Sequence, residues 1–198
     1  MSKREFSDWD LVYKQEDVKN LPWYSSELDI DLREALEKRD VSSGTFLDLG
    51  TGPGNHAIAL SRRGFKVTAT DISENAIKKA EMLKSHVEFL KDDILNSKID
   101  KKFDFIFDRG CFHAIDEKKR EIYAEKVHSI LNDNGIIFIK CFSDKEQDFG
   151  RGPYRLSKKE IYGAFSEYFN IESIKDSFYQ GTISPFPMSW FITMRKRI

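Results

Sequence analysis

Residues 45–71 read TFLDLGTGPGNHAIALSRRGFKVTATD, and this stretch decides the fold. A short apolar run breaks at Gly50 into a loop of alternating glycines, an amphipathic segment follows, and a second apolar run ends on Asp71. Glycines let a ligand approach the backbone and tolerate a positive φ. A carboxylate at the end of the second strand can accept hydrogen bonds from both hydroxyls of a ribose. The stretch therefore predicts a strand, a glycine loop, a helix and a strand that together bind a nucleoside-type cofactor.

The spacing of the glycines separates two kinds of nucleoside site. A dinucleotide fingerprint has its third glycine three residues after the second, and this chain has Asn55 there. The loop instead resembles motif I of the class I S-adenosylmethionine-dependent methyltransferases, in which an acidic residue, one spacer and alternating glycines follow one another. Four residues match that motif position by position: Asp48, Gly50, Gly52 and Gly54. The resemblance implies S-adenosyl-L-methionine as the cofactor, with the loop against its methionine part and Asp71 on its ribose.

The rest of the chain continues the alternation of strands and helices. Five apolar runs alternate with helical segments up to residue 142, which predicts a parallel sheet covered on both faces. A loop, a helix at 157–169 and two strands at 171–179 and 190–196 should follow. The class I resemblance implies that the last strand is antiparallel. We expect an α/β fold with a Rossmann-like, seven-stranded, mostly parallel sheet, helices on both faces and an N-terminal helical extension.

The length of 198 residues suits one domain and leaves no room for a separate substrate domain. We divide this single domain, 1–198, into three parts. Residues 1–40 form an N-terminal helical cap, residues 45–141 the cofactor-binding core, and residues 142–198 a C-terminal substrate loop, helix and strand pair. Within the cap we expect a helix at 27–38, and before the fifth strand a helix at 118–131 that stops in a turn at 132–135.

Charge and composition narrow the possible partners. Lys and Arg total 32 against 33 Asp and Glu, so a nucleic-acid partner is not expected. The first ten residues lack the apolar run of a signal peptide, and no stretch approaches the ~20 apolar residues of a membrane span. Cys111 and Cys141 fit a reduced compartment. We expect a cytoplasmic protein without a membrane partner or a bound metal, whose oligomeric state the sequence leaves open.

Acidic residues stand where the predicted strands end, which is where ligands lie in open parallel sheets. By resemblance, Asp93 would accept from the adenine amino group, and Asp92 is the alternative partner. Asp108 would flank the methionine end near Asp48. For each acid, the competing role is to begin a turn or cap a helix. The expected cofactor-binding residues are Asp48, Gly50, Thr51, Gly52, Gly54, Asp71, Ile72, Asp92, Asp93, Ile94, Asp108 and Arg109.

The acceptor decides whether a base is needed. Methyl transfer from a sulfonium is an in-line displacement, so alignment can supply much of the rate. A soft nucleophile such as a thiolate needs no base, whereas an oxygen or nitrogen that carries a proton does. His113 is the candidate general base, and a structural histidine is the alternative. His56, at the start of a helix, is expected to be a packing residue.

Aromatic side chains are candidates for a lid over the sulfonium, because ring faces attract cations and exclude water. The substrate and lid candidates are Trp9, Tyr13, Trp23, Phe112 and Tyr154, with packing in the core as the alternative. The order Trp9, Tyr13, Pro22-Trp23, together with Asp108-Arg109-Gly110, is similar to the branch containing thiopurine, tellurite-resistance and halide/thiol methyltransferases. In the halide/thiol members, N-terminal aromatics cover the cofactor. Three arginines are candidates for gripping an acidic substrate: Arg109, Arg151 and Arg155.

Together these features predict an S-adenosylmethionine-dependent methyltransferase that acts on a small-molecule acceptor, such as a thiol or another heteroatom nucleophile. Several alternatives stay open from the sequence alone. The chain could methylate a protein or a nucleic acid, it could be a nicotinamide dehydrogenase, or it could be a non-catalytic module that keeps the cofactor pocket.

Overall fold

The computed structural model describes residues 8–148, 150 and 152–198 of the chain. Seven strands form one sheet: β1 (Thr45–Leu49), β2 (Lys66–Asp71), β3 (Glu88–Lys91), β4 (Phe103–Arg109), β5 (Leu131–Phe142), β6 (Phe169–Phe178) and β7 (Met188–Lys196). The α-helices are α1 (Trp9–Gln15), α2 (Ile30–Lys38), α3 (Asn55–Arg62), α4 (Glu74–Glu81), α5 (Arg120–Ser129) and α6 (Lys158–Phe165).

The strand order is β3-β2-β1-β4-β5-β7-β6. Strands β1 to β5 are parallel to one another, and β7 runs antiparallel to both β5 and β6. The predicted seven-stranded, mostly parallel sheet is therefore confirmed, including its antiparallel last strand. The order reverses between β1 and β4, and in open α/β sheets this reversal opens a crevice at the carboxyl ends of the strands. The glycine loop after β1 lies at this crevice.

The two faces of the sheet are buried in separate cores. On β1 the side chain of Phe46 belongs to one core, and those of Leu47 and Leu49 belong to the other. Alternate residues of a strand point to opposite faces, so burial on both sides gives the continuous apolar runs seen in the sequence. Within the described part of the chain, no helix has the length and apolar character needed to span a bilayer.

The main difference from the predicted elements lies before β5. The predicted helix at 118–131 is a 3₁₀ turn, Glu117–Lys119, followed by α5, and β5 already begins at Leu131. Leu131 pairs with Phe103, and the next pair joins Ile136 to Phe105. Residues 132–135, predicted as a turn outside the strand, therefore bulge out of the ladder. Their polar side chains and glycine allow this irregularity.

Hydrogen bonds at helix ends hold the N-terminal cap against the start of α4. Ser73 caps α4 by accepting from the backbone N–H of Ala76 at 3.1 Å. The Asp10 carboxylate on α1 accepts from the Ser73 hydroxyl at 2.8 Å and from the Asn75 backbone N–H at 3.0 Å. The predicted helix at 27–38 begins only at Ile30, because the side chain of Asp29 caps it. These contacts hold α1 beside α4, and the Tyr13 side chain on α1 lies against Gly52 of the glycine loop.

Candidate active site

The glycines of the loop have two different roles. Gly52 has a φ of +54°, and a Cβ built on it would lie 2.5 Å from the Tyr13 hydroxyl, so only glycine fits beneath the cap. Gly54 has a φ of +82°, and its Cβ would lie 2.8 Å from the Phe89 ring. Gly54 thus allows α3 to pack closely on its neighbours, and it faces the interior rather than the cleft. Positive φ values at both positions favour glycine over any other residue.

Asp71 ends β2 and joins the loop to the next helix. One carboxylate oxygen accepts from the Gly52 backbone N–H at 2.8 Å, and the other accepts from the Ser73 backbone N–H at 2.9 Å. Burial raises the pKa of this carboxyl above its ordinary value, although both hydrogen bonds favour the charged form. Each carboxylate oxygen can accept a second hydrogen bond, so acceptor capacity for two hydroxyl donors remains. The adjacent side chain of Ile72 is 53% exposed.

The two acids after β3 differ in their partners. Asp93 caps a 3₁₀ turn, accepting from the Leu95 backbone N–H at 3.0 Å and from the Asn96 side chain at 3.1 Å. Asp92 accepts from the Lys98 backbone N–H at 3.1 Å through Oδ1. Its Oδ2 is buried and has no hydrogen-bond partner among the described residues. A buried oxygen without a donor is the observation expected where a bound group supplies one. The side chain of Ile94 packs into the core.

Asp48 on β1 and Asp108 on β4 are both buried below the crevice, and their side chains leave the sheet on opposite faces. Asp48 accepts from the Thr51 hydroxyl at 2.5 Å, and burial raises its pKa to about 7. Asp108 accepts from the Tyr123 hydroxyl and from the backbone N–H groups of Cys111 and Phe112, at 2.8 and 2.9 Å. Burial raises the pKa of Asp108 to about 6. Because its oxygens hold the turn after β4, Asp108 is structural in this conformation, whereas Asp48 lines the cleft.

The cleft lies between the glycine loop and the N-terminal cap. The cap contributes Tyr13, Trp23 and Tyr24, and the sheet side contributes Asp48, His56 and Arg109. The indole N–H of Trp23 donates to the Tyr13 hydroxyl at 3.1 Å. Trp9 meets Trp23 edge to face, with ring centroids 5.6 Å apart. Three of the predicted lid residues therefore form one aromatic wall beside the glycine loop.

Two other lid candidates lie away from this wall. Phe112 is 1% exposed, and its ring centroid lies 4.7 Å from that of Phe165 and 5.1 Å from that of Tyr123. It packs in the core, so the structure does not bring it to the cleft. Tyr154 lies under the Arg120 guanidinium at 5.0 Å. The sequence could not separate these rings from the others, because aromatic residues serve both cores and ligand walls.

His113 has the geometry of a structural histidine. Its Nδ1 accepts from the backbone N–H of Phe142 at 3.0 Å, and the ring packs between Phe142 and Tyr179 at 4.7 and 5.8 Å. Burial lowers the pKa of His113 to about 3, with the positive charges of Arg155 and Arg109 acting in the same direction. The ring is therefore neutral, and the nitrogen that a base would use already accepts a hydrogen bond. The expected base role is not supported by these contacts.

The sequence did not predict the roles of four polar residues, one in the cleft and three beneath the cap. His56 lines the cleft, and its Nδ1 is buried without a partner in the described part of the chain. Arg109 does not extend toward an acidic substrate, because Asp29 and two backbone carbonyls occupy its guanidinium. Besides His56, the residues whose roles were not predicted are Asp29, Lys140 and Gln180. A lysine within the apolar run IIFIKCF was the available signal, since a charge inside a buried strand requires a buried partner.

Arg151 and Arg155 are the other two arginines predicted to grip an acidic substrate. Arg151 lies outside the described residues. Arg155 donates to the Pro153 carbonyl at 2.7 Å and lies over the Phe142 ring at 5.2 Å. Across the residues that the structure describes, no group of His, Cys, Asp and Glu side chains could hold a metal ion.

Known proteins resemble this chain in sequence and in structure. A family model described as a methyltransferase domain matches residues 46–135. An uncharacterized methyltransferase of Schizosaccharomyces pombe is 35% identical over 103 residues, which are 50% of this chain and 71% of that protein. EEF1A lysine methyltransferase 2 of Danio rerio is 29% identical over 163 residues, which are 70% of this chain and 69% of that protein.

One solved protein structure has the same fold as this chain. Its description is the conversion of a disulfide bond into a thioacetal group during echinomycin biosynthesis. It superposes with a TM-score of 0.80 at 26% identity, covering 95% of this chain and 91% of that one. Together with the glycine loop and the acids at the ends of the strands, these similarities establish the family. The chain belongs to the class I S-adenosylmethionine-dependent methyltransferases and is an enzyme of that family.

Proposed function

We propose that the enzyme methylates a small-molecule acceptor that attacks through a soft atom, such as the sulfur of a thiolate. The observation that carries this proposal is the state of His113, the residue that would otherwise serve as the base. Its Nδ1 accepts a hydrogen bond from a backbone N–H, and the residue is only 4% exposed. Burial lowers its pKa to about 3, and the positive charges of nearby arginines act in the same direction. A thiolate needs no proton acceptor at the moment of attack, whereas a protonated amine or hydroxyl does.

Asp48 is the other titratable group to consider as a base. It lines the cleft, and its raised pKa of about 7 would suit proton transfer. However, its carboxyl is 3% exposed and already accepts from the Thr51 hydroxyl and the Ala57 backbone N–H. These contacts direct the oxygens at the loop, so Asp48 supports the glycine turn rather than the acceptor.

The residues of the crevice fit S-adenosylmethionine. In our proposal Asp71 accepts from the ribose hydroxyls, the unpartnered oxygen of Asp92 accepts from the adenine amino group, and the backbone at Gly50 and Gly52 lies against the methionine part. The cofactor supplies an electrophilic methyl group on a sulfonium. The rings of Tyr13 and Trp23 keep water away and present faces that attract a cation. Alignment of the acceptor in this enclosed space then supplies much of the rate.

The cap favours a small acceptor over a folded one. Tyr13 and Trp23 are hydrogen-bonded to each other over the glycine loop, which leaves a narrow cleft beside the aromatic wall. The description of the similar solved structure names a reaction at sulfur, the conversion of a disulfide bond into a thioacetal group. The order of Trp9, Tyr13 and Trp23 before motif I also resembles the branch that contains halide and thiol methyltransferases. The alternative acceptor is a protein lysine, and the similarity to EEF1A lysine methyltransferase 2 of Danio rerio supports it.

Transfer of a radiolabelled methyl group tests the proposal. The purified enzyme is incubated with labelled S-adenosylmethionine and, separately, with small thiols, thiocyanate and halides, amines, phenols and purified elongation factor 1A. We expect labelled thioethers, and a rate that rises with pH through the pKa of each thiol rather than through one enzyme group. A labelled protein band with no labelled small product would overturn the proposal.

A further inference from the structure

Four charged side chains lie together beneath the cap, three of them buried and that of Asp31 22% exposed, and we call them the buried charge cluster: Asp29, Asp31, Arg109 and Lys140. The Lys140 side chain is fully buried on β5. Its ammonium donates to both oxygens of Asp29 at 3.1 and 2.9 Å, to Asp31 at 2.6 Å and to the side-chain oxygen of Gln180 at 2.7 Å. Every donor of this ammonium is therefore used.

Arg109 completes the buried charge cluster from the end of β4. Its Nε donates to Asp29 at 2.9 Å, one terminal nitrogen donates to the Trp23 carbonyl at 3.0 Å, and the other donates to the Gln180 carbonyl. The guanidinium also lies 4.3 Å from the centre of the Tyr179 ring. Burial alone would raise the pKa of Asp29, but Lys140 and Arg109 hold it below its ordinary value. Two cations thus meet two carboxylates, and the cluster carries no net charge.

The cluster joins three distant parts of the sequence. Asp29 and Asp31 stand at the start of α2, Arg109 and Lys140 belong to the sheet, and Gln180 lies in the loop between β6 and β7. The same loop makes further contacts with the cap, because Thr182 donates its backbone N–H to the Pro22 carbonyl at 3.0 Å. Well-packed apolar residues at these four positions would stabilise the fold about as well as the ion pairs do. A requirement for fixed geometry is therefore the better explanation for the buried charges.

The geometry that the cluster fixes is that of the aromatic wall. Arg109 holds the carbonyl of Trp23, and the indole of Trp23 holds the hydroxyl of Tyr13. That hydroxyl in turn lies 2.5 Å from the place that a Cβ on Gly52 would take, so the position of Trp23 sets the distance between cap and glycine loop. Lys140 itself does not line the cleft, and it acts through Asp29 and Arg109.

We propose that Lys140 is a positioning residue, which holds Trp23 and the aromatic wall over the cofactor site through Asp29 and Arg109. This role rests on the family of the enzyme and not on the choice of acceptor. Its readouts are binding of S-adenosylhomocysteine and accessibility of tryptophan, both of which are independent of any acceptor. Failure of the thiol proposal would leave these readouts unchanged, so the two proposals can be judged separately.

The test compares Lys140→Met with the double variant Lys140→Met/Asp31→Asn. The single variant leaves one carboxylate in excess, whereas the double variant restores a cluster without net charge and keeps the Asp29–Arg109 pair. Calorimetry measures the Kd of S-adenosylhomocysteine, and acrylamide quenching measures how exposed the tryptophans are. Trp190 is 2% exposed on β7, so changes in quenching report Trp9 and Trp23. Lys78→Met, at an exposed i,i+4 pair, is the control.

We expect the double variant to unfold at the denaturant concentration of the parent, while its Kd rises at least about tenfold because the wall is no longer aligned. Quenching should increase at least about twofold, as the cap opens locally. A double variant with parental stability, parental Kd and parental quenching would overturn the proposal. A double variant that does not fold would also overturn it, because the cluster would then serve the fold rather than the position of the wall.

Discussion

Replacing Asp71 by Asn tests the acid at the end of β2 with the smallest possible change of shape. The carboxylate accepts from the backbone N–H of Gly52 at 2.8 Å and from that of Ser73 at 2.9 Å. An Asn side chain has one acceptor oxygen, and its amide group must then face one of these two N–H donors. At least one buried donor loses its acceptor, whichever way the amide turns. In the proposed binding mode, the ribose also loses a charged acceptor.

The magnitude follows from these contacts. A hydrogen bond to a charged group contributes about 1.5–3 kcal/mol, and a buried donor left unpaired costs about 1–3 kcal/mol. Burial raises the pKa of Asp71, so a neutral side chain removes part of a desolvation cost and offsets some of this loss. We expect the free energy of unfolding to fall by about 1–3 kcal/mol. Binding of S-adenosylhomocysteine should weaken about 10- to 100-fold, since ~1.4 kcal/mol corresponds to a factor of ten.

Calorimetry with S-adenosylhomocysteine and urea unfolding of the free enzyme measure the two effects separately. Asp176→Asn is the matched control, because that carboxylate is 67% exposed and pairs with Lys145 at the surface. It should change neither quantity. If Asp71→Asn lowered stability but left the affinity unchanged, Asp71 would serve the loop alone and the ribose assignment would be refuted. If neither quantity changed, the hydrogen bonds to Gly52 and Ser73 would themselves be in doubt.

Three further changes have expected outcomes. Burial raises the pKa of Asp48 from 3.8 to about 7, so the folded state holds this proton more tightly, and stability present below about pH 4 should be lost as pH rises to about 7. Urea unfolding across this range measures the slope of the free energy of unfolding against pH, and Asp48→Asn should flatten that slope. An unchanged slope would refute the raised pKa of Asp48. His113→Asn keeps an acceptor for the Phe142 N–H, so kcat should stay within about threefold of the parent, whereas a loss above about 100-fold would restore the base role. Gly52→Ala combines a φ of +54° with a clash on Tyr13, and it should lower stability by about 1–3 kcal/mol and weaken cofactor binding, with calorimetry as the measurement. Gly152→Ala, with a φ of +67° and open space around the new Cβ, is its control for backbone strain alone, and equal cofactor affinity in both variants would contradict the role of the cap.

Much of the cofactor side of the site could be predicted because its signals are local. Alternating glycines, the apolar runs on either side and an acid at the second strand end lie within residues 45–71, and each depends on its near neighbours in sequence. The elements of this unit and the antiparallel last strand are confirmed. The roles of Asp71, Asp92 and Asp93 toward the cofactor stay predictions. The structure adds that Asp92 has the buried oxygen without a partner, whereas Asp93 caps its own turn.

The acceptor side was harder to predict because its residues depend on contacts between distant segments. Arg109, Phe112 and His113 lie within five positions at the end of β4, yet the first holds the cap, the second packs in the core and the third accepts a backbone N–H. Burial and partners decide among these roles, and neither is visible in residue type or spacing. The strand beginning at Leu131 was missed for a similar reason, since pairing with Phe103 overrides the local turn signal of residues 132–135.

The sequence by itself determined the fold class and predicted the place of the nucleoside site. Hydrophobic periodicity and the backbone freedom of Gly52 act over a few residues, so one chain segment carries the whole signal. The tertiary structure decided which polar groups remain available for chemistry. Lys140 meets Asp29 across 111 positions and Arg109 meets it across 80, and only folding brings such charges close enough to neutralise one another in the interior. Coulomb energy depends on distance in space, and the order of residues along the chain does not contain that distance.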